Sequence, residues 1–245
     1  KKLTKDDGSQ YGLCLRNDNN QAGYYNLIYD NGGYIINDDK TKSGMDDPKT
    51  VEAMEMLEGW IKDGVLPPIE TMSENGEDVL LESGKVAMVP QGSWMIAAFR
   101  DNEYTAENCD CVELPKSATT GRRASLYNGL GWAASANTEH PEEAWQLIEY
   151  LGSKEAQEKQ AELGVTMSAY TGTSEAWAKS ANFNLQAYIN MMDDMEIRPY
   201  SRSTVTWENK NSEILKSVYS GDKTMADACK EMAEQMNESL AEEQQ

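Results

Sequence analysis

The chain is 245 residues long and carries 22 Lys+Arg against 42 Asp+Glu, a formal net charge of −20. At roughly 100–200 residues per domain this is one large domain or two small ones, and 39% hydrophobic residues with six Trp and twelve Tyr supply a core that argues against global disorder. The acidic excess argues against nucleic acid and anionic membrane surfaces, both of which are bound by neutralising Lys and Arg. No apolar run approaches the ~18–20 residues that cross a bilayer.

Lys1-Lys2-Leu3-Thr4-Lys5 has no apolar stretch behind it, so no signal peptide is expected within this chain. These residues read as the last turn of a helix closed by Asp7-Gly8. Gln10 to Leu15 reads as a short strand, Asn17 to Gln21 as a polar loop, and Tyr24 to Tyr29 as a helical face stopped by Asn31-Gly32-Gly33. Tyr34 to Ile36 is a second short strand. Asp47-Pro48 opens a clear helix, with Asp47 as N-cap and Pro48 at its first position, and Val51, Met54, Leu57, Trp60 and Ile61 share its apolar face until Asp63-Gly64.

Asn75 to Ser83 reads as a further helix ended by Gly84, Val86 to Val89 as a buried strand, and Ser93 as the cap of a helix to Arg100. Val112 to Leu114 and Leu126 to Ala134 carry strand signals. Pro141-Glu142-Glu143 starts the strongest helix, its acids facing the positive end of the macrodipole, and Ser153 caps another that ends at Gly164. From Ser174 the expected elements are helices over 174–180, 183–194, 203–219 and 223–241, with Glu238 to Gln245 frayed. Short strands alternating with helices, followed by a helical second half, give an α/β fold class.

The scarce residues limit the chemistry. The single histidine, His140, sits in Glu139-His140-Pro141 at a helix start and reads as a surface residue, which leaves little room for a zinc site or a Ser/His/Asp triad. Cys14, Cys109, Cys111 and Cys229 are too few for a disulfide scaffold, and Cys109-Asp110-Cys111 has no second pair or nearby His to complete a metal site. Free thiols, one disulfide or a metal remain open at these four positions. No phosphate-binding loop is present, because Gly129-x-Gly131 lacks its third glycine. No catalytic residue, metal or cofactor is expected.

Three places carry binding chemistry. Gly92-Ser93-Trp94 follows a strand and starts a helix, the position where α/β folds place ligands; Trp94 is either a platform for a ring face or a core residue. Trp207 follows Arg198-Pro199-Tyr200-Ser201-Arg202, a planar polar set suited to vicinal hydroxyls or a carboxylate, although for either arginine alone pairing with the many acids here is the favoured reading. Asn17-Asp18-Asn19-Asn20-Gln21 is either an ordinary turn or a source of hydroxyl partners at a strand's end.

The order of these pieces resembles the family 1 extracellular solute-binding proteins, the carbohydrate receptors of ABC importers. The resemblance rests on Leu81-Glu82-Ser83-Gly84-Lys85-Val86-Ala87-Met88, Gly92-Ser93-Trp94, Glu113-Leu114-Pro115, the Asn128-Gly129-Leu130-Gly131 stretch up to Ala134-Ser135, and His140-Pro141-Glu142-Glu143-Ala144-Trp145, and it runs from about Gln10 to Ala241. It implies a type II periplasmic-binding-protein-like fold of two α/β lobes, with sugar held in a cleft that closes on it. It also implies ligand-binding roles for Trp94, Trp207, Asn19, Asn20 and Gln21, for Asn128 and Gly129 at a crossing between lobes, and more weakly for Arg202.

Family members carry a long stretch before the equivalent of Gln10, holding the signal sequence and most of one lobe. The resemblance therefore implies a fragment: residues 1–125 and 171–245 as parts of a C-terminal-type lobe, and 126–170 as the remnant of an N-terminal-type lobe whose helices at 141–163 are covered by a neighbouring chain or else displaced. The implied function is delivery of a sugar or oligosaccharide to ABC transporter permease subunits, outside the cell, from a lipoprotein or periplasmic location, without catalysis. The alternatives are a carbohydrate-active enzyme and a receptor for an anionic solute using Arg198 or Arg202.

Overall fold

The structure is a computed structural model that describes residues 1–244. In chain order it contains a wide helical turn at Asn20–Tyr24, α1 (Tyr25–Asp30), α2 (Pro48–Lys62), α3 (Ile69–Glu74), α4 (Glu77–Glu82), a 3-10 turn at Ser93–Met95, α5 (Ile96–Asp101) and α6 (Glu103–Asn108). There follow β1 (Ser125–Tyr127), α7 (Pro141–Leu151), α8 (Lys154–Leu163), α9 (Ser174–Ala178), α10 (Gln186–Asn190), a 3-10 turn at Met191–Asp194, β2 (Met195–Ile197), α11 (Thr204–Tyr219) and α12 (Met225–Glu242). The chain divides into two compact units: one of Lys1–Gln91, Leu114–Tyr127 and the residues from Asp193 onward, the other of Gly92–Glu113 and Asn128–Met192.

The first unit is built on α1, α2, α11 and α12. The Asp47 carboxylate accepts from the Lys49 N–H and Pro48 stands at the first helical position, so α2 begins where sequence places it. Ala53, Met54 and Leu57 turn inward from it. The longest helix, α12, is capped by the Thr224 hydroxyl accepting from Asp227 N–H and buries Ala228, Cys229, Met232, Ala233, Met236 and Leu240 at three- and four-residue spacings. Ile214, Leu215 and Val218 of α11 and Tyr24, Tyr25 and Ile28 complete this core. Each such fully buried side chain contributes about 1.5–3 kcal/mol relative to leaving it exposed.

β1 and β2 pair in parallel, Ser125 opposite Met195 and Tyr127 opposite Ile197. They are the two named strands among the described residues. Both lie in the first unit, next to the points where the chain passes to and from the second.

Several expected strands are reduced. Tyr11 and Val86 pair in parallel as an isolated bridge. Tyr11 N–H donates to Lys85 O, Ala87 N–H to Tyr11 O and Cys14 N–H to Met88 O. Between these, Gly12 N–H goes to Thr4 Oγ1 and Leu13 N–H to Val65 O, so the ladder is interrupted. Val86 is buried but Met88 is half exposed, which corrects the expectation of a fully buried strand. Val112 to Leu114 forms no strand, and Val112 stands almost fully exposed. Beyond Tyr127 the expected strand to Ala134 is irregular and exposed. The first residues form turns instead of a helix end. In the opposite sense, Glu238 to Glu242 is ordered as the last turn of α12, because Ser239 and Leu240 are buried. Gln245 lies outside the described residues.

In the second unit, α8 starts on the Ser153 hydroxyl, which accepts from Ala156 N–H, and ends at Gly164, whose φ of +68° only glycine adopts without strain. Trp177 is fully buried and meets Tyr188 edge-on at 5.7 Å. By contrast α7 buries none of its residues: Trp145, Leu147 and Tyr150 are 62%, 58% and 51% exposed. All four cysteines are free thiols. Burial pushes the Cys14 and Cys229 thiols up to about 12 and Cys111 up to about 11, so they remain protonated at neutral pH.

Candidate functional site

The parallel segments Tyr11–Cys14 and Lys85–Met88 end on the same side of the first unit. Arg16, Asp18 and Asn19 follow one of them, and Pro90 and Gln91 the other. Carboxyl ends of parallel strands are where α/β folds gather ligand-binding groups. Arg16 Nη2 donates to Asp18 Oδ2 at 2.9 Å, and Arg16 Nε lies 3.7 Å from Glu77 Oε2. Glu77, the first residue of α4, accepts on one oxygen from Asn19 Nδ2 at 3.1 Å and from Gln91 Nε2 at 3.2 Å. Asn19 Nδ2 also donates to Pro90 O at 3.4 Å. Burial raises Glu77 above the ordinary carboxylate range, with the Arg16 guanidinium and its own backbone N–H opposing and Asp18 and Asp78 reinforcing.

Of the sequence-predicted residues, Asn19, Asn20 and Gln21 therefore stand together at this edge. Asn19 is buried and engaged through its amide nitrogen. Asn20 Oδ1 accepts from Gln21 N–H at 2.6 Å, an ordinary turn contact, and Gln21 Oε1 is buried without a protein partner. The neighbouring Asn17 is locked by donating Nδ2 to both the Ser212 carbonyl and hydroxyl at 3.0 Å. Arg16, Glu77 and Gln91 went unnamed as site residues in the sequence, and Asp18 entered only as a member of the Asn17–Gln21 run. Glu77 is 58 residues from Asn19, and no periodicity links them.

Trp207 departs from the expected open platform. Its ring is fully buried, and its indole N–H donates to Ser201 Oγ at 3.0 Å. The loop in front of α11 is tied down by Glu243, which accepts from Arg202 N–H at 3.0 Å and from Ser201 Oγ at 2.7 Å, so the ring is sealed into the core instead of facing solvent. The Arg202 backbone is engaged there and the residue is exposed. Arg198 Nη2 pairs with Glu208 at 2.5 Å, and Glu208 also accepts from Tyr25 OH at 3.3 Å.

The second unit carries the remaining residues. Trp94 lies in the Ser93–Met95 turn with 45% of its surface exposed. Gly92 packs directly beneath it, since a Cβ at Gly92 would lie 2.0 Å from the indole Cζ3. Ser93 Oγ is 3.1 Å from Thr166 Oγ1, which pins the start of the turn. Asn128 and Gly129 are exposed. Among the described residues no cluster of His, Cys, Asp and Glu is arranged to hold a metal.

The model of the bacterial extracellular solute-binding proteins matches residues 2–192. The chain belongs to that family. The Bacillus subtilis (strain 168) protein named maltodextrin-binding protein MdxE is 26% identical to this solute-binding chain over 135 residues, covering 53% of this chain and 31% of MdxE. The ABC substrate-binding protein Lmo0181 from Listeria monocytogenes, solved in complex with cycloalternan, superposes with a TM-score of 0.83 at 19% identity over 98% of this chain and 61% of that one. The maltose/maltodextrin-binding domain MalE from Bdellovibrio bacteriovorus, bound to maltotriose, gives 0.78 at 19% identity over 98% and 64%. At that identity the superpositions establish the periplasmic-binding-protein-like fold, of which this solute-binding chain spans less than two thirds of the solved chains' length.

Proposed function

We propose that this chain is part of a carbohydrate receptor that delivers a sugar or oligosaccharide to the permease subunits of an ABC transporter, outside the cell, from a lipoprotein or periplasmic location, without breaking a bond in it. The observation that carries the reading is Trp94, a half-exposed indole held by Gly92 and the Ser93–Thr166 contact at the start of a helical turn. Indole faces suit the C–H face of a pyranose, while amides and carboxylates such as those at Asn19, Asp18 and Gln91 suit its hydroxyls. Family membership and the maltodextrin- and oligosaccharide-binding relatives support the same ligand class. The open apolar side of α7 supports coverage of 141–163 by further polypeptide.

Calorimetric titration with a panel of neutral mono- and oligosaccharides tests the reading. Binding without release of cleaved product is expected, and Trp94→Ala should weaken it about 10-fold or more, as loss of one stacked aromatic implies. Product formation, abolished by changing a single carboxylate, would establish the enzyme reading instead.

A further inference from the structure

The two acceptors around Asn19 decide which way its amide faces. Glu77 Oε1 and Pro90 O can only accept, so the nitrogen must point to them, and both N–H groups are then spent at 3.1 and 3.4 Å. Asn19 Oδ1 is left facing away, with no donor from the described residues on it. Gln91 Nε2 is turned to the same Glu77 oxygen. The charged groups are one guanidinium, Arg16, whose Nη2 is committed to Asp18, against the carboxylates of Asp18 and Glu77, with Asp78 adjoining.

We propose that Glu77 is a positioning residue that sets the polarity of this edge: by holding the Asn19 and Gln91 amide nitrogens it presents an acceptor surface, which takes hydrogen bonds from the hydroxyls of a neutral sugar and disfavours an anionic solute. The inference rests on the carbohydrate reading and deepens it, because it selects among solutes. A carboxylate or phosphate ligand would bring acceptors against acceptors and a negative charge against two others. A sugar hydroxyl can donate to Asn19 Oδ1 and to the second Asp18 oxygen, and specificity arises because a ligand lacking those donors leaves them unpaired.

Protonation of Glu77 gives the hub an O–H and removes the reason for the amide orientation. Its surroundings are Arg16 and Asp18 from the turn, the buried Cys14 thiol just before it, Tyr219 of α11 and Asp78 from its own helix, while Pro90–Gln91 brings no titratable side chain. Burial moves that event to higher pH than for an exposed carboxylate.

The test is calorimetry of the 245-residue chain with maltotriose, its aldonic acid maltotrionate and the neutral sugar panel, between pH 5 and 8. The wild type should bind a neutral sugar at least about 10-fold more tightly than the aldonic acid. Glu77→Ala should weaken the neutral sugar about 10- to 100-fold, the range for a lost hydrogen bond to a charged group. Glu77→Gln keeps an acceptor oxygen without the charge; it should recover most of the affinity at pH 7 and flatten the decline toward pH 5. Circular dichroism and melting separate folding from binding, and the Glu77→Gln pH profile decides if Glu77→Ala does not fold. Unchanged affinity in Glu77→Ala, an unaltered pH profile in Glu77→Gln, or preference for the aldonic acid overturns the role of Glu77 while leaving the receptor reading intact. A wild type that binds no sugar of the panel overturns the receptor reading itself.

Discussion

Ser201 Oγ accepts the indole N–H of Trp207 at 3.0 Å and donates to Glu243 Oε1 at 2.7 Å, so the end of α12 holds the residue that orients a tryptophan at the start of α11. Glu243 also takes the Ser203 hydroxyl and backbone N–H and the Arg202 N–H. Burial alone would raise its pKa, but the hydrogen bonds from Ser203, Ser201 and Arg202 outweigh it and bring it to about 2. The group is more acidic folded than unfolded, so its contribution is complete above about 4.5 and is lost as pH falls through about 2. Glu243→Gln should lower the melting temperature by about 2–4 °C at pH 6, and the two melting curves should converge toward pH 2.

Asp30 works in the opposite sense. Its carboxylate accepts from Ala124 N–H at 2.5 Å, immediately before β1, and Thr120 donates to its backbone carbonyl. Burial pushes its pKa up to about 6, against the Ala124 hydrogen bond and Arg122. The folded chain therefore holds this proton more tightly than the unfolded chain, and stability should decline as pH rises from about 4 to about 6. Asp30→Asn keeps an acceptor for Ala124 without the charge. Melts of both proteins from pH 4 to 7 should show that segment of the decline missing in the variant.

Trp207→Ala empties a fully buried site between Ser201 and the core of the first unit. A loss of about 3–5 kcal/mol is expected from urea unfolding, as for other large-to-small core changes. A surface platform would lose less than about 1 kcal/mol.

Gly92→Ala isolates the support beneath Trp94. The Gly92 backbone (φ −85°, ψ 165°) is open to alanine, so the conflict is confined to the added Cβ and the indole ring 2.0 Å away. The ring must turn, and sugar affinity should fall while the melting temperature changes little. Equal affinity in the variant would remove the ring's orientation from the binding argument.

The exposed side of α7 makes a solubility prediction. Trp145→Glu with Leu147→Lys should reduce concentration-dependent association in sedimentation velocity. Because α7 buries none of its residues, the melting temperature should stay nearly constant.

Local chemistry fixed the helices in advance. Asp47-Pro48, Ser153 with Gly164, and Thr224 each act within a few residues of the element they bound, so α2, α8 and α12 were legible in the chain itself. The family's motif order was legible for the same reason, as an arrangement of neighbours, whereas Trp94 stayed open between a platform and a core residue. Three things depended on distant partners and were not legible. The short strands failed or formed according to where N–H groups found acceptors, as Gly12 and Leu13 did at Thr4 and Val65. Trp207 became core because a residue 42 positions beyond Ser201 caps the loop in front of it. Glu77 became the hub of the Asn19 edge because α4 returns it to a turn 58 residues earlier. Composition and spacing set the charge, the helices and the class of molecule. Which aromatic is open, and which way an amide faces, was decided only by contacts between segments that the sequence keeps apart.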